Sequence, residues 1–254
     1  MMILNEDALV AIENIPNNSI DLIFTDPPYW TLNKWREIGT TTRLGGNRDE
    51  NKRDTSKWFK TIDESELFEF MCECFRVLKM DRHACIMCDG QTLKWVLGYA
   101  EESGFNYYKP IVWDKVSIGM GYHFRCKHEY IVLLDKGKNR KPKNLSLSDI
   151  ITIPMIKGGY PTEKPIELSK IFISEFTDEN DIILDPFMGS GSTIIAAKEL
   201  KRDYIGFDIY DEAYKIVEQR IKKLDIYTFL INQSSLETQR YELVGEKRKI
   251  KDFI

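Results

Sequence analysis

The 254-residue chain has no apolar run approaching the roughly 18 residues that a membrane span needs. Its first residues, Met1-Met2-Ile3-Leu4-Asn5-Glu6-Asp7, carry acids where an export signal carries cations. A cytoplasmic protein with no membrane partner is therefore expected. Cysteine is scarce too. Of the five, only Cys85 and Cys88 have the spacing of a metal knuckle, and they lie in a strand-like segment with no second pair to match them. Buried thiols in a reducing compartment, and no metal, are the expectation. A basic excess is also missing, with 36 Lys and Arg against 40 Asp and Glu and a net charge of −4. That sum argues against a polyanion partner, but phosphate contacts need only a local positive face. Residues 34–60 hold eight cations, Arg43, Arg48, Lys52 and Arg53 among them, against four acids. Residues 136–143 hold five, including Lys138, Arg140 and Lys141, and no acid. Both stretches are candidate DNA contacts.

Hydrophobic and charged contents of 43% and 30% are ordinary for a globular protein, and the length suits one α/β domain over 1–254. Apolar runs and helical spacings alternate along the chain. Strands are predicted at 2–4, 20–24, 83–88, 107–113, 129–134, 181–184 and 203–207. Helices are predicted at about 7–14, 64–79, 91–103, 165–176, 192–200 and 211–224. That alternation implies a mostly parallel, doubly wound sheet. Residues 31–60 lack periodicity and read as a long functional loop, a DNA-engaging lid. Residues 225–254 form a tail without a legible role.

Two motifs carry chemistry. Asp185-Pro-Phe-Met-Gly189-Ser-Gly191-Ser-Thr193 follows an apolar strand and leads into a helix, so its glycines let backbone approach a nucleotide-like ligand. The next strand ends at Asp208, whose carboxylate can accept from ribose hydroxyls. A third glycine and a Lys-Ser/Thr pair are both absent, which excludes a dinucleotide fingerprint and a Walker loop. The other motif, Thr25-Asp26-Pro27-Pro28-Tyr29, ends the strand at 20–24. An amine conjugated to a nucleobase is a poor nucleophile. The Asp26 carboxylate and the Pro27 carbonyl can accept its two N–H bonds and stabilise the positive charge that develops on alkylation. The prolines fix φ, and the Tyr29 ring can stack on an extruded base.

With these motifs in this order, the chain resembles DNA amino-methyltransferases of the β arrangement, in which the catalytic motif precedes the cofactor motif. Asp7-Ala-Leu, Ser19 to Tyr29, Arg76-Val-Leu-Lys, Ile111-Val-Trp-Asp-Lys, His128-Glu-Tyr-Ile-Val-Leu and Tyr160-Pro-Thr-Glu-Lys-Pro165 carry the likeness over residues 2–224. The resemblance implies a Rossmann-like α/β fold with a seven-stranded, mostly parallel sheet, one antiparallel strand and a circularly permuted motif order. It implies S-adenosylmethionine as cofactor, lined by Asp7, Thr162, Lys164, Pro165, Asp185, Phe187, Gly189, Gly191, Thr193 and Asp208, with Asp26, Pro27, Pro28 and Tyr29 catalytic. Asp before Pro-Pro-Tyr implies N6 of adenine in double-stranded DNA; N4 of cytosine is the alternative. A homodimer and a cognate restriction nuclease are partners the resemblance allows. The sequence-reading region of relatives corresponds here to a short segment, 135–160. Recognition then falls partly to residues 31–60 or to a second subunit, or it is loose. Protein and RNA amino-methyltransferases fit less well, since Asn before Pro-Pro-Tyr and the reverse motif order are expected of them. A silent DNA-binding module has no need to keep Asp26, Tyr29 and Asp208 together.

Overall fold

Strand β2 (Ile20–Thr25) reads Ile-Asp-Leu-Ile-Phe-Thr, and all six of its residues are buried. Only a central strand covered on both faces has that pattern. It lies between β3 (Leu78–Cys88) and β7 (Ile182–Asp185), parallel to both. A computed structural model describes residues 1–31, 60–119, 124–138, 141–158, 160 and 162–229. Among these the sheet has eight strands in the order β1-β8-β7-β2-β3-β5-β4-β6. The others are β1 (Met2–Leu4), β4 (Asn106–Asp114), β5 (His128–Lys136), β6 (Ile150–Thr152) and β8 (Asp203–Phe207). Only β5 runs against its neighbours, β3 and β4. The strand beyond the expected seven is β6, three residues on the outer edge of β4. Two of its three residues are exposed, so no buried run marks it.

The helices are α1 (Ala8–Glu13), α2 (Glu64–Val77), α3 (Leu93–Glu102), α4 (Ile166–Phe176), α5 (Ser192–Glu199) and α6 over 211–229. Helix α2 begins at a capping box, in which Asp63 and Glu66 each accept the other's backbone N–H, and it buries Leu67, Phe70, Met71, Cys74 and Val77. One apolar cluster joins α1, α2 and α3 to one face of the sheet; a second joins α4, α5 and Val217 to the other. Cys88 packs in the first and Cys85 in the second, so the knuckle-spaced pair points to opposite faces of β3.

The chain moves outward from β2 through β3 to β4, then returns beside β2 as β7 and moves outward the other way through β8. The order therefore reverses between β2 and β7. In a parallel sheet, a crevice opens outside the strand C-termini at such a reversal.

Candidate active site

Thr25 ends β2 and Asp185 ends β7, and the two meet at that reversal. The Thr25 hydroxyl donates to Asp185 Oδ1 at 2.7 Å. This bond joins the two sequence motifs across 160 positions and places Asp26 and the glycine turn at one edge of the sheet. The Phe187 N–H also donates to Asp185 Oδ1, at 3.2 Å, and the Phe187 ring lies on Phe70 with centroids 5.2 Å apart. Burial drives the Asp185 carboxyl up to about 7, against the pull of the Thr25 and Thr193 hydroxyls and the Phe187 N–H. A carboxyl raised in the native state holds its proton while the unfolded chain has released it. Its contribution is complete below the unfolded value near 4 and is lost as pH rises through about 7. Asp185→Asn is accordingly expected to flatten this dependence. Melting followed from pH 5 to pH 8 should show wild type losing on the order of a few kcal/mol relative to the variant.

The glycine turn is pinned on three sides. Gly189 (φ 49°) donates its N–H to Asp208 Oδ2 at 2.9 Å, and the Tyr210 N–H donates to Asp208 Oδ1 at the same distance. Each carboxylate oxygen keeps a lone pair for a further donor. Burial raises the Asp208 carboxyl, and these two N–H groups oppose the rise. Arg220 donates to the Ser190 carbonyl at 2.8 Å and to Glu163 at 2.9 Å, tying the turn to the segment around 160–165. The Ser192 hydroxyl donates to the Lys164 carbonyl at 2.6 Å. Gly191 caps α5 in the left-handed region at φ 79°, and a Cβ there would stand 2.6 Å from Val217 Cγ2. Gly191→Ala should thus strain the backbone and push α6 away, at a cost of about 1–3 kcal/mol in a thermal melt.

Asp26 is half-buried and bound by Lys164, whose ammonium donates to Oδ2 in a very short contact. Lys164 also stands 3.7 Å from Glu129 Oε2, and Lys115 donates to Glu129 Oε1 at 2.9 Å. Burial raises the Asp26 carboxyl and Glu129 adds to the rise, while Lys164 and Lys115 oppose it. Lys164 is held above its usual value because the two carboxylates outweigh its burial. Lys164, expected along the cofactor, stands between Asp26 and Glu129. Glu129 and Lys115 stand in segments quoted above for resemblance, but no residue pattern assigned them a role. The signal was positional, since both lie where β5 begins and β4 ends.

The other site residues fall as follows. Pro27 is buried, and the Pro28 carbonyl accepts from Ile62 at 2.9 Å. Tyr29 is buried rather than open for stacking, with its hydroxyl donated to the Met87 carbonyl at 3.1 Å. Trp30 packs against Trp95, centroids 5.9 Å apart. Asp7 caps α1 through the Leu9 N–H and pairs with Lys60 at 2.9 Å. Thr162 is exposed at φ 59°, and Pro165 is the N-cap of α4. Thr193 is buried beside Ser169. Arg43, Arg48, Lys52, Arg53 and Arg140 lie outside the described residues.

Lys138 and Lys141 lie far from this edge. They follow β5, and because β5 is antiparallel it delivers them to the end of the sheet opposite Asp26, roughly 25 Å away along nine residues of strand. There the Lys138 N–H donates to Asp81 at 2.7 Å, Lys143 pairs with Asp178 at 2.8 Å, and Lys136 donates to the carbonyls of Phe75 and Leu78 that close α2. Lys136, Lys138 and Lys143 are thus bonded to that end of the fold.

A family model described as DNA methylase, for the N6 and N4 enzymes, matches residues 20–155 and 140–219. The chain belongs to the N6/N4 DNA methylase family. It is a DNA methyltransferase. Among its relatives, the type II methyltransferase M.HinfI of Haemophilus influenzae is 29% identical over 283 residues, covering 99% of this chain and 75% of that one. The type II methyltransferase M2.DpnII of Streptococcus pneumoniae is 29% identical over 247 residues, 87% of this chain and 90% of its own. Of solved structures, the M1.HpyAVI–SAM complex superposes with a TM-score of 0.63 at 25% identity, covering 86% of this methylase and 98% of its own chain. The cytosine-N4-specific PvuII DNA methyltransferase gives 0.66 at 17% identity, over 91% and 92% of the two chains, and shares the fold.

Proposed function

We propose that this methylase moves a methyl group from S-adenosylmethionine to N6 of an adenine extruded from double-stranded DNA. The observation that carries the reading is the Thr25–Asp185 bond at the sheet reversal, which sets an amine acceptor and a nucleoside-binding turn side by side. The residues suit the cofactor. Asp208 keeps acceptor capacity for ribose hydroxyls, and Gly189 carries no side chain to obstruct the approach of a ligand to its backbone.

Bound S-adenosylmethionine supplies an electrophilic methyl group. Asp26 Oδ1 and the Pro27 carbonyl accept the two N–H bonds of the target amine and free its lone pair for in-line attack. Lys164 on Oδ2 keeps Asp26 ionised in a half-buried position. The positive charge that grows on nitrogen meets a fixed carboxylate, so no reorganisation is needed at the moment of transfer. The chain serves as one methyltransferase domain; residues 32–59, the greater part of the stretch expected to engage DNA, lie outside the described residues. Asp before Pro-Pro-Tyr supports adenine over cytosine.

Plasmid DNA treated with enzyme and isotope-labelled cofactor, then digested to nucleosides, tests this by mass spectrometry. Labelled N6-methyldeoxyadenosine is the expected product. Label in N4-methyldeoxycytidine would move the target to cytosine and leave the amine chemistry intact.

A further inference from the structure

The antiparallel strand β5 begins at the edge where the parallel strands end. Its second residue, Glu129, pairs across the sheet with Trp113, two positions before Lys115. That crossing brings Lys115, Glu129, Lys164 and Asp26 into one row of alternating charge: Lys115 to Glu129 at 2.9 Å, Glu129 to Lys164 at 3.7 Å, and Lys164 to Asp26 Oδ2 in direct contact. Two cations and two carboxylates cancel in sum, yet they are not equivalent. Asp26 stands at the end of the row, with Oδ1 outside the Lys164 contact.

We infer that Glu129 is a positioning residue for methyl transfer: anchored by Lys115, it shares Lys164 with Asp26 and so leaves charge on Asp26 for the target amine. The inference rests on the reading of Asp26 as the amine acceptor. Lys164 given wholly to Asp26 would keep that carboxylate ionised but neutralise it, weakening it as an acceptor for a nitrogen gaining positive charge. Glu129 draws on the same ammonium from the other side. A structural role alone, closing the edge of the sheet, would need only that Lys115 and Glu129 pair with each other. Sharing Lys164 is the added feature.

The row also fixes the direction of each perturbation. Besides Lys164, Glu129 and Lys115, the groups near Asp26 among the described residues include Asp185 on β7, Tyr29 in its own turn and Cys88 on β3; burial pushes all three upward, toward their protonated forms. Glu129 raises the Asp26 carboxyl and Lys115 lowers it. Removing one should therefore move the acid limb of activity opposite to removing the other.

The test is the single-turnover methylation rate against pH, at saturating DNA and S-adenosylmethionine, for wild type, Glu129→Gln, Lys115→Met and Asp26→Asn. For Glu129→Gln the plateau should fall about tenfold, less than loss of the acceptor itself at ~10²–10³, with KM for DNA unchanged. Its acid limb should shift down by roughly one pH unit, the scale of one nearby charge. For Lys115→Met the acid limb should shift up. Acid limbs that coincide with wild type, or that move the same way in both variants, would overturn the role of Glu129 and leave Asp26 untouched. An active Asp26→Asn would instead overturn the reading on which the inference stands. Glu129→Gln preserves shape, and if it does not fold, the Lys115→Met limb decides alone, since an unshifted limb there removes the row.

Discussion

Asp26→Asn is expected to lower the single-turnover methylation rate by ~10²–10³, the loss typical of one fixed acceptor of transition-state charge. Affinity for S-adenosylmethionine should change little. The substitution keeps the shape of the side chain and an oxygen for Lys164, but it removes the negative charge that Oδ1 turns toward the amine. Lys164 then faces Glu129 as its remaining charged partner, and Glu129 is already bonded to Lys115 at 2.9 Å. The half-buried cations are thus underbalanced, and the variant should melt somewhat lower as well. Calorimetric titration with the cofactor beside a labelled-methyl assay separates the two effects. A variant that retains more than about a tenth of the rate sinks the assignment of Asp26.

The second large effect is expected on binding. Asp208→Ala removes an acceptor that orients the glycine turn, through Gly189 and Tyr210, and that is proposed to take the ribose hydroxyls. Hydrogen bonds to a charged acceptor are worth ~1.5–3 kcal/mol each, so loss of even one ribose contact should weaken S-adenosylmethionine by about tenfold or more. The rate at saturating cofactor should fall far less than in Asp26→Asn. Asp208→Asn, which keeps one acceptor oxygen for Gly189, should lie between wild type and Asp208→Ala. An unchanged dissociation constant in Asp208→Ala would remove Asp208 from the ribose.

The two predictions lean on different parts of the sequence, and the parts were unequally legible. Strand β2 and the turn after β7 announced themselves, because buried runs ending in Asp-Pro or Asp-Pro-Pro leave few alternatives. Their meeting at the sheet reversal was implicit in strand order, which alternation of strands and helices predicts well. Strand β6 escaped because it lies on the outer edge of the sheet with two of its three residues exposed, so no buried run marks it. The early start of β3 escaped because Lys79, Asp81 and Arg82 are charged; Lys79 and Arg82 pair with the buried Asp21 of β2, at 2.7 and 2.9 Å. Charge counted along the chain misled at Lys138 and Lys141. Linear density says where cations cluster, but the direction of β5 decides which end of the sheet receives them. The same reversal hid Glu129. Its contact with Lys164 spans 35 positions and depends on one antiparallel strand, which no local pattern encodes.

The most direct measurement is a structure of the enzyme with duplex DNA and sinefungin, an unreactive cofactor analogue with an amine in place of the sulfonium methyl. The account predicts an extruded adenine with N6 about 3 Å from both Asp26 Oδ1 and the Pro27 carbonyl. The analogue's amine should point at that nitrogen, and its ribose hydroxyls should lie on Asp208. An adenine seated with N6 beyond reach of Asp26 Oδ1 and the Pro27 carbonyl, or a ribose held away from Asp208, would contradict it.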